Sequence, residues 1–117
     1  MRPTILIVDD SPSYRHAARA LLEAEGFEVV GESTTGGDAL ADWELLRPDV
    51  VLLDIGLPDI DGIVVAERLT ARPDGPAVVL VSSRDGIGFE QVFRRCGARG
   101  FIPKAELTGE AITALAA

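Results

Sequence analysis

Asp49-Val50-Val51-Leu52-Leu53-Asp54 is the stretch on which the fold turns. Four apolar residues in succession, two of them β-branched, stand between two aspartates, and the run is too short for a helix. Unbroken hydrophobicity over such a length marks a strand buried on both faces, as at the centre of a parallel sheet. Ile5-Leu6-Ile7-Val8 and Val78-Val79-Leu80-Val81 have the same character. Two weaker runs complete the set. Glu28-Val29-Val30-Gly31-Glu32 carries charge at both ends, and Arg99-Gly100-Phe101-Ile102-Pro103 contains glycine and proline. Proline cannot donate to a ladder and prefers an edge, so these two are the predicted outer strands.

Segments of helical period lie between the strands. Ala17, Ala18, Leu21, Leu22 and Ala24 form one stripe, opened by Ser11-Pro12 and closed by Gly26. Ala39, Leu40, Trp43 and Leu46 form the second, with Thr35 as its cap and Pro48 as its stop. Val65, Ala66 and Leu69 form the third, ahead of Pro73. Phe89, Val92, Phe93 and Cys96 form the fourth, closed by Gly97, and Leu107, Ala111, Ile112 and Leu115 form the last. Five successive βα units predict a doubly wound α/β domain with a five-stranded parallel sheet in the order 2-1-3-4-5. The 117 residues suit one domain, 1–117, with no internal linker or repeat.

Composition narrows the function. The formal charge is −8, so a phosphate backbone or an anionic membrane surface repels the chain. One cysteine excludes an internal disulfide, and together with a single histidine it excludes a Cys/His zinc site. No apolar run approaches the roughly 20 residues of a membrane span. Met1-Arg2-Pro3-Thr4 leads directly into a short apolar run ending in two aspartates, unlike a secretory leader, and a cytoplasmic location is expected.

In an open parallel sheet, ligands bind beyond the carboxyl ends of the strands, where the strand order reverses. There the first strand ends in Asp9-Asp10, the third in Asp54 and the fourth in Ser82-Ser83, and Lys104 follows the fifth. Three carboxylates converging on one pocket raise one another's pKa, and a divalent cation and a lysine are the two remedies available. Ligands that are all oxygen, with positions left to water, suit Mg²⁺ or Mn²⁺. A cation beside a carboxylate, a lysine and a serine hydroxyl equips a site for phosphoryl transfer, with Asp54 as the nucleophile that becomes an aspartyl phosphate.

These pieces, in this order, resemble the receiver domain of bacterial two-component response regulators, whose fold is flavodoxin-like. The resemblance runs through Val8-Asp9-Asp10, Asp49 to Ile55 with Leu57-Pro58 and Asp61-Gly62, Leu80-Val81-Ser82-Ser83, and Gly97-Ala98-Arg99-Gly100-Phe101 leading to Lys104. It implies that Asp54 takes a phosphoryl group from a phosphohistidine on a sensor kinase or phosphotransfer protein. It also implies that Asp10, Asp54 and the Gly56 carbonyl hold the metal directly, that Asp9 acts through water, and that Lys104 pairs with the phosphoryl oxygens. Ser82 is then the switch hydroxyl, and Phe101 the aromatic that rotates inward. The output surface implied is the fourth helix, the fifth strand and the last helix, a face on which receivers commonly form homodimers. Ser82 stands where threonine is commoner, Phe101 where tyrosine is frequent, and Ala105 where many receivers have a proline. Residues 100–107 are most similar to receivers of LuxR-type regulators. Gly56 and Arg84 are expected to flank the route of attacking water.

Other readings weigh less. A phosphorylation-independent interaction module of receiver shape has no need of Asp9, Asp10, Asp54, Ser82 and Lys104 together. An FMN carrier needs a hydroxyl- and glycine-rich loop after the first strand, where Asp9-Asp10 repels phosphate. A phosphohydrolase needs a substrate-selecting cap, for which the chain has no room. The domain therefore reads as a regulator that assists only its own phosphorylation and dephosphorylation, and not as an enzyme. His16 is expected to be exposed, and Cys96 and Trp43 to belong to the core.

Overall fold

The structure, a computed structural model, describes residues 2–83, 93 and 95–116. The chain runs β1 (Thr4–Val8), α1 (Pro12–Ala24), β2 (Glu28–Ser33), α2 (Gly36–Leu46), β3 (Val50–Asp54), α3 (Gly62–Thr70), β4 (Ala77–Ser82), β5 (Gly100–Pro103), a 3₁₀ turn (Lys104–Glu106) and α4 (Gly109–Ala116). The five strands pair in parallel in the order β2-β1-β3-β4-β5. The three continuous apolar runs occupy the centre, and the two weaker ones the edges.

Both faces of the sheet are covered. Ile5, Ile7, Val50, Leu52, Val79, Val81 and Ile102 pack against Ala18 and Leu22 of α1 and Ile112 of α4. The alternate residues Leu6, Val8, Val51, Leu53, Val78 and Leu80 pack against α2 and α3, with Phe93 and Cys96. Each fully buried aliphatic side chain removes enough apolar surface from water to stabilise the fold by about 1.5–3 kcal/mol.

The helix boundaries have local causes. The Ser11 side chain caps α1 by accepting from the Tyr14 N–H at 3.3 Å, and Gly26, at φ +96°, ends the following turn. Thr35 caps α2 through the Asp38 N–H at 3.0 Å, and Arg47 adopts a left-handed conformation just before Pro48. Asp61 caps α3 by accepting from the Ile63 N–H at 2.8 Å. Thr108 accepts from the Ala111 N–H at 3.0 Å at the start of α4, and the Glu25 carboxylate accepts from the Gly109 N–H.

Several expectations about packing need correction. Ala17 and Ala24 of α1 are exposed, and the buried stripe is Ala18 and Leu22 with Tyr14 and Leu21 half-buried beside them. Small side chains carry little periodic signal, and the bulkier Tyr14, four residues before Ala18, marks the true face. Leu46 is 38% exposed because the last turn of α2 overhangs the sheet edge at Gly31, whereas Trp43 is buried. The guanidinium groups of Arg47 and Arg72 lie 4.2 and 4.7 Å from the Trp43 ring centroid. Leu107 is buried but precedes α4, and Arg99 lies just outside β5. Of the fourth predicted helix, Phe93 and Cys96 are buried, while Phe89 and Val92 lie outside the described residues, as do Arg84 and Gly86-Ile87-Gly88. His16 is exposed. Among the described residues no peptide bond is cis, that between Lys104 and Ala105 included.

Gly62 is the tightest point beneath the functional end of the sheet. A Cβ there would overlap the Asp54 carbonyl and come within 2.7 Å of the Ile55 Cα, both of them backbone atoms with little room to move. Gly62→Ala is therefore expected to cost about 1–3 kcal/mol, the usual range for overpacking. Urea denaturation reads this directly, and an unmoved midpoint would show that the β3–α3 loop can shift without penalty.

Candidate phosphoacceptor site

At the carboxyl ends of β1, β3 and β4 the sheet opens into a cleft of about 460 Å³ lined by Asp10, Asp54, Ile55, Gly56, Asp61, Ser82, Ser83 and Lys104. Asp9 lies beneath it, fully buried. Its N–H donates to the Ser33 carbonyl at 3.0 Å, which carries the β1–β2 ladder one residue past the strand. Its Oδ1 accepts from the Ser11 N–H at 2.8 Å, and its carbonyl accepts from Arg15 Nη1 at 2.7 Å. Its Oδ2 forms an ion pair with Lys104 Nζ at 2.7 Å.

Asp54 ends β3 and is almost fully buried. Its Oδ1 accepts from the Gly56 N–H at 3.2 Å, and its Oδ2 stands 3.5 Å from Lys104 Nζ. The lysine reaches both carboxylates from the first residue of the 3₁₀ turn after β5. Asp10 is exposed at the mouth, and a carboxylate oxygen from each of Asp9, Asp10 and Asp54 lies within 4.8 Å of the others. The residues named for the site in the sequence thus come together: Asp9, Asp10, Asp54, Gly56, Ser82 and Lys104. Phe101 does not line the cleft. It is half-buried, with its ring stacked on Phe93 at 5.0 Å between centroids and 12° between planes.

The electrostatics follow from this crowding. Burial, and then the neighbouring Asp9 charge, push the Asp54 carboxyl above its ordinary value, against the opposing pull of the Gly56 N–H and Lys104. Burial tends to lower the Lys104 ammonium, but the Asp9 and Asp54 carboxylates outweigh it, and the group stays above its usual value. Among the described residues the cluster sets three carboxyl groups against one ammonium, a formal excess of negative charge. A divalent cation fits that excess, and an all-oxygen donor set in an open cleft with room for water fits Mg²⁺ or Mn²⁺.

Sequence reasoning passed over Tyr14. It projects from the first turn of α1 so that Lys104 Nζ sits 4.6 Å from its ring centroid. Burial, followed by the Asp9 and Asp54 charges, pushes its phenol up to about 12, which keeps it neutral. Its place on the buried stripe with Ala18 and Leu22 was the available signal. Asp59 was also missed. Its carboxylate accepts from the Gly36 N–H at 2.7 Å and the Gly37 N–H at 3.0 Å, tying the β3–α3 loop to the start of α2. These two N–H groups, Gly37 first, hold the Asp59 carboxyl below its ordinary value. Burial raises the Cys96 thiol, in keeping with a packing role.

Residues 5–116 match the response regulator receiver domain family, and the chain belongs to it. The transcription regulator BvgA of Bordetella pertussis is 39% identical over 110 residues, which are 94% of this chain and 53% of that protein. The DNA-binding transcriptional activator EvgA of Escherichia coli is 34% identical over 112 residues, 96% of this chain and 55% of that protein. The chain therefore spans about half the length of these curated relatives. A two-component response regulator of the LuxR family from Aurantimonas sp. superposes with a TM-score of 0.89 at 28% identity, over 99% of this chain and 86% of that one. The fold is the flavodoxin-like fold of receivers, and phosphorylation on aspartate is the general function of the family. Receivers bind Mg²⁺ at an acidic pocket, and Asp9, Asp10 and Asp54 form such a cluster here. Among the described residues no helix is long and apolar enough to cross a membrane.

Because the folded-state pKa of Asp54 is raised, its ionisation costs stability. The penalty is absent below the ordinary carboxyl range and complete once the pH exceeds the raised value. At neutral pH, Asp54→Asn should therefore melt higher than the parent chain in EDTA, and added Mg²⁺ should raise the melting temperature of the parent far more than that of the variant. Equal melting in EDTA, with equal Mg²⁺ shifts, would remove Asp54 from the charge cluster.

Proposed function

We propose that the chain, as one receiver unit, accepts a phosphoryl group on Asp54 from a phosphohistidine of a sensor kinase or phosphotransfer protein, in a reaction that needs Mg²⁺ or Mn²⁺. The observation that carries this reading is the joining of Asp9 and Asp54 by a single lysine that follows the edge strand β5, with Asp10 at the open mouth beside them. An Asp54 carboxylate oxygen forms a bond to phosphorus as the phosphorus–nitrogen bond of the phosphohistidine breaks, and the imidazole leaves with the electron pair. The transition state is loose, so positioning and charge neutralisation matter more than covalent help. Asp10, Asp54 and the Gly56 carbonyl would hold the metal, with Asp9 reached through water, and the metal supplies charge neutralisation for the phosphoryl oxygens. Lys104 and Ser82 complete the shell around those oxygens.

The switch runs from Ser82 to Phe101, and its output face is built on the fourth helical segment, β5 and α4, where a homodimer or a partner docks. Most of that helical segment lies outside the described residues. The stack of Phe101 on Phe93 opposes inward rotation by about 0.5–1.5 kcal/mol, the usual worth of such a pair. The relatives are described as transcription regulators. The net charge of −8 favours a role in which this domain controls DNA binding without touching DNA. The site acts on its own aspartate and turns over no separate substrate, so the chain is a regulator and not an enzyme, and its place is the cytoplasm. Gly56 offers open space where a larger side chain would meet attacking water.

Intact-mass measurement after incubation with Mg²⁺ and phosphoramidate tests the reading. The expected result is one added phosphoryl group, lost in EDTA and in Asp54→Ala. A folded protein that gains no phosphoryl group and does not bind beryllofluoride would instead be a phosphorylation-independent interaction module.

A further inference from the structure

We propose that Tyr14 is a positioning residue for phosphoryl transfer, the face of its ring holding the Lys104 ammonium over the two buried carboxylates. The inference rests on the phosphoacceptor reading of Asp54. Lys104 is the only lysine and Tyr14 the only tyrosine in the chain. Among the described residues the ammonium lies close to Asp9 Oδ2 at 2.7 Å, Asp54 Oδ2 at 3.5 Å and the Tyr14 ring centroid at 4.6 Å.

A lysine side chain is long and rotamer-rich, and here it springs from a short 3₁₀ turn at the sheet edge. An ion pair alone ties its charge to the resting carboxylates. An aromatic face attracts a cation without acting as a strong hydrogen-bond acceptor, so the ring takes none of the three N–H donors, and what Asp9 and Asp54 do not hold stays open to incoming phosphoryl oxygens. The Tyr14 hydroxyl is buried and has no hydrogen-bond partner among the described residues, and it is the ring face that meets the ammonium.

The placement of Tyr14 is built from the site itself. The Asp9 carboxylate accepts from the Ser11 N–H at 2.8 Å, and the Ser11 hydroxyl accepts from the Tyr14 N–H at 3.3 Å. One short relay of hydrogen bonds therefore sets both the acid that pairs with Lys104 and the ring that covers it. Half-buried against the cluster of Ala18 and Leu22, the ring has packing behind it as well.

The test compares Tyr14→Leu, which keeps apolar bulk and removes the ring, with Tyr14→Phe, which keeps the ring. In the metal-free, unphosphorylated protein the ε-methylene protons of the single lysine should resonate upfield in the parent and in Tyr14→Phe, and at their ordinary position in Tyr14→Leu. The rate of phosphorylation by phosphoramidate should fall about two- to thirtyfold in Tyr14→Leu, the range a cation–π contact spans, and Tyr14→Phe should restore it. In a Lys104→Met background the Tyr14→Leu change should cost nothing more. A parent rate in Tyr14→Leu, or the same loss in both backgrounds, would overturn the proposal. Should Tyr14→Leu not fold, trifluorophenylalanine at position 14 keeps the shape and weakens the face, and an unchanged rate would be equally fatal. A parent chain that gains no phosphoryl group defeats the phosphoacceptor reading instead, while the lysine resonance still reports whether the ring holds the ammonium.

Discussion

The ion pair that Lys104 makes with Asp9 and Asp54 is the interaction around which the functional end of the domain is arranged. Burying charge costs several kcal/mol per ion, and an apolar replacement of the same shape is often at least as stable. The arrangement is thus poorly explained by stability. Asp9 is wholly buried, and among the described residues one ammonium faces a cluster of three carboxylates. Such an excess of negative charge suits a divalent cation, in keeping with the acidic pocket at which receivers bind Mg²⁺.

Local backbone devices hold this unfavourable constellation in place. Asp9 fixes Ser11, and Ser11 in turn starts α1. On the other side Asp59 accepts from two N–H groups at the start of α2, which anchors the loop that begins at Ile55 and carries Gly56. Gly36 allows that approach, since a Cβ there would come within 2.9 Å of Val65 and 3.0 Å of Ile60. Gly62 lets α3 begin hard against the end of β3. The rigidity of the site is therefore distributed over three loop-to-helix junctions, and the helix N-termini supply N–H groups that would otherwise lack partners.

Much of this was legible before the structure because two different signals agreed. Continuous apolar runs place three strands at the centre of a parallel sheet, and strand order then brings Asp9, Asp10, Asp54, Ser82 and Lys104 to one end. Tyr14 and Asp59 were not legible in that way, because their roles depend on tertiary approach. A ring covers a lysine ninety residues later, and a loop carboxylate caps a helix over twenty residues earlier. The exposed Ala17, Ala24 and Leu46 show the weakness of periodicity where side chains are small or a helix overhangs the sheet edge.

Sheet geometry also links the proposed switch residues. In β4 and β5, Leu80 pairs with Phe101 and Ser82 with Pro103. Side chains alternate along a strand, so Ser82 shares a face with Leu80, and Phe101 packs in the cluster on that same face. A Ser82 hydroxyl drawn toward a phosphoryl group on Asp54 would leave space on the side of the sheet where Phe101 now stacks on Phe93. Serine in place of threonine leaves less to clear, since it carries no methyl group. Phenylalanine in place of tyrosine forgoes a hydrogen bond at the end of the movement. Both states of the aromatic then rest on packing alone, and the balance between them is set by how well the ring fits each site.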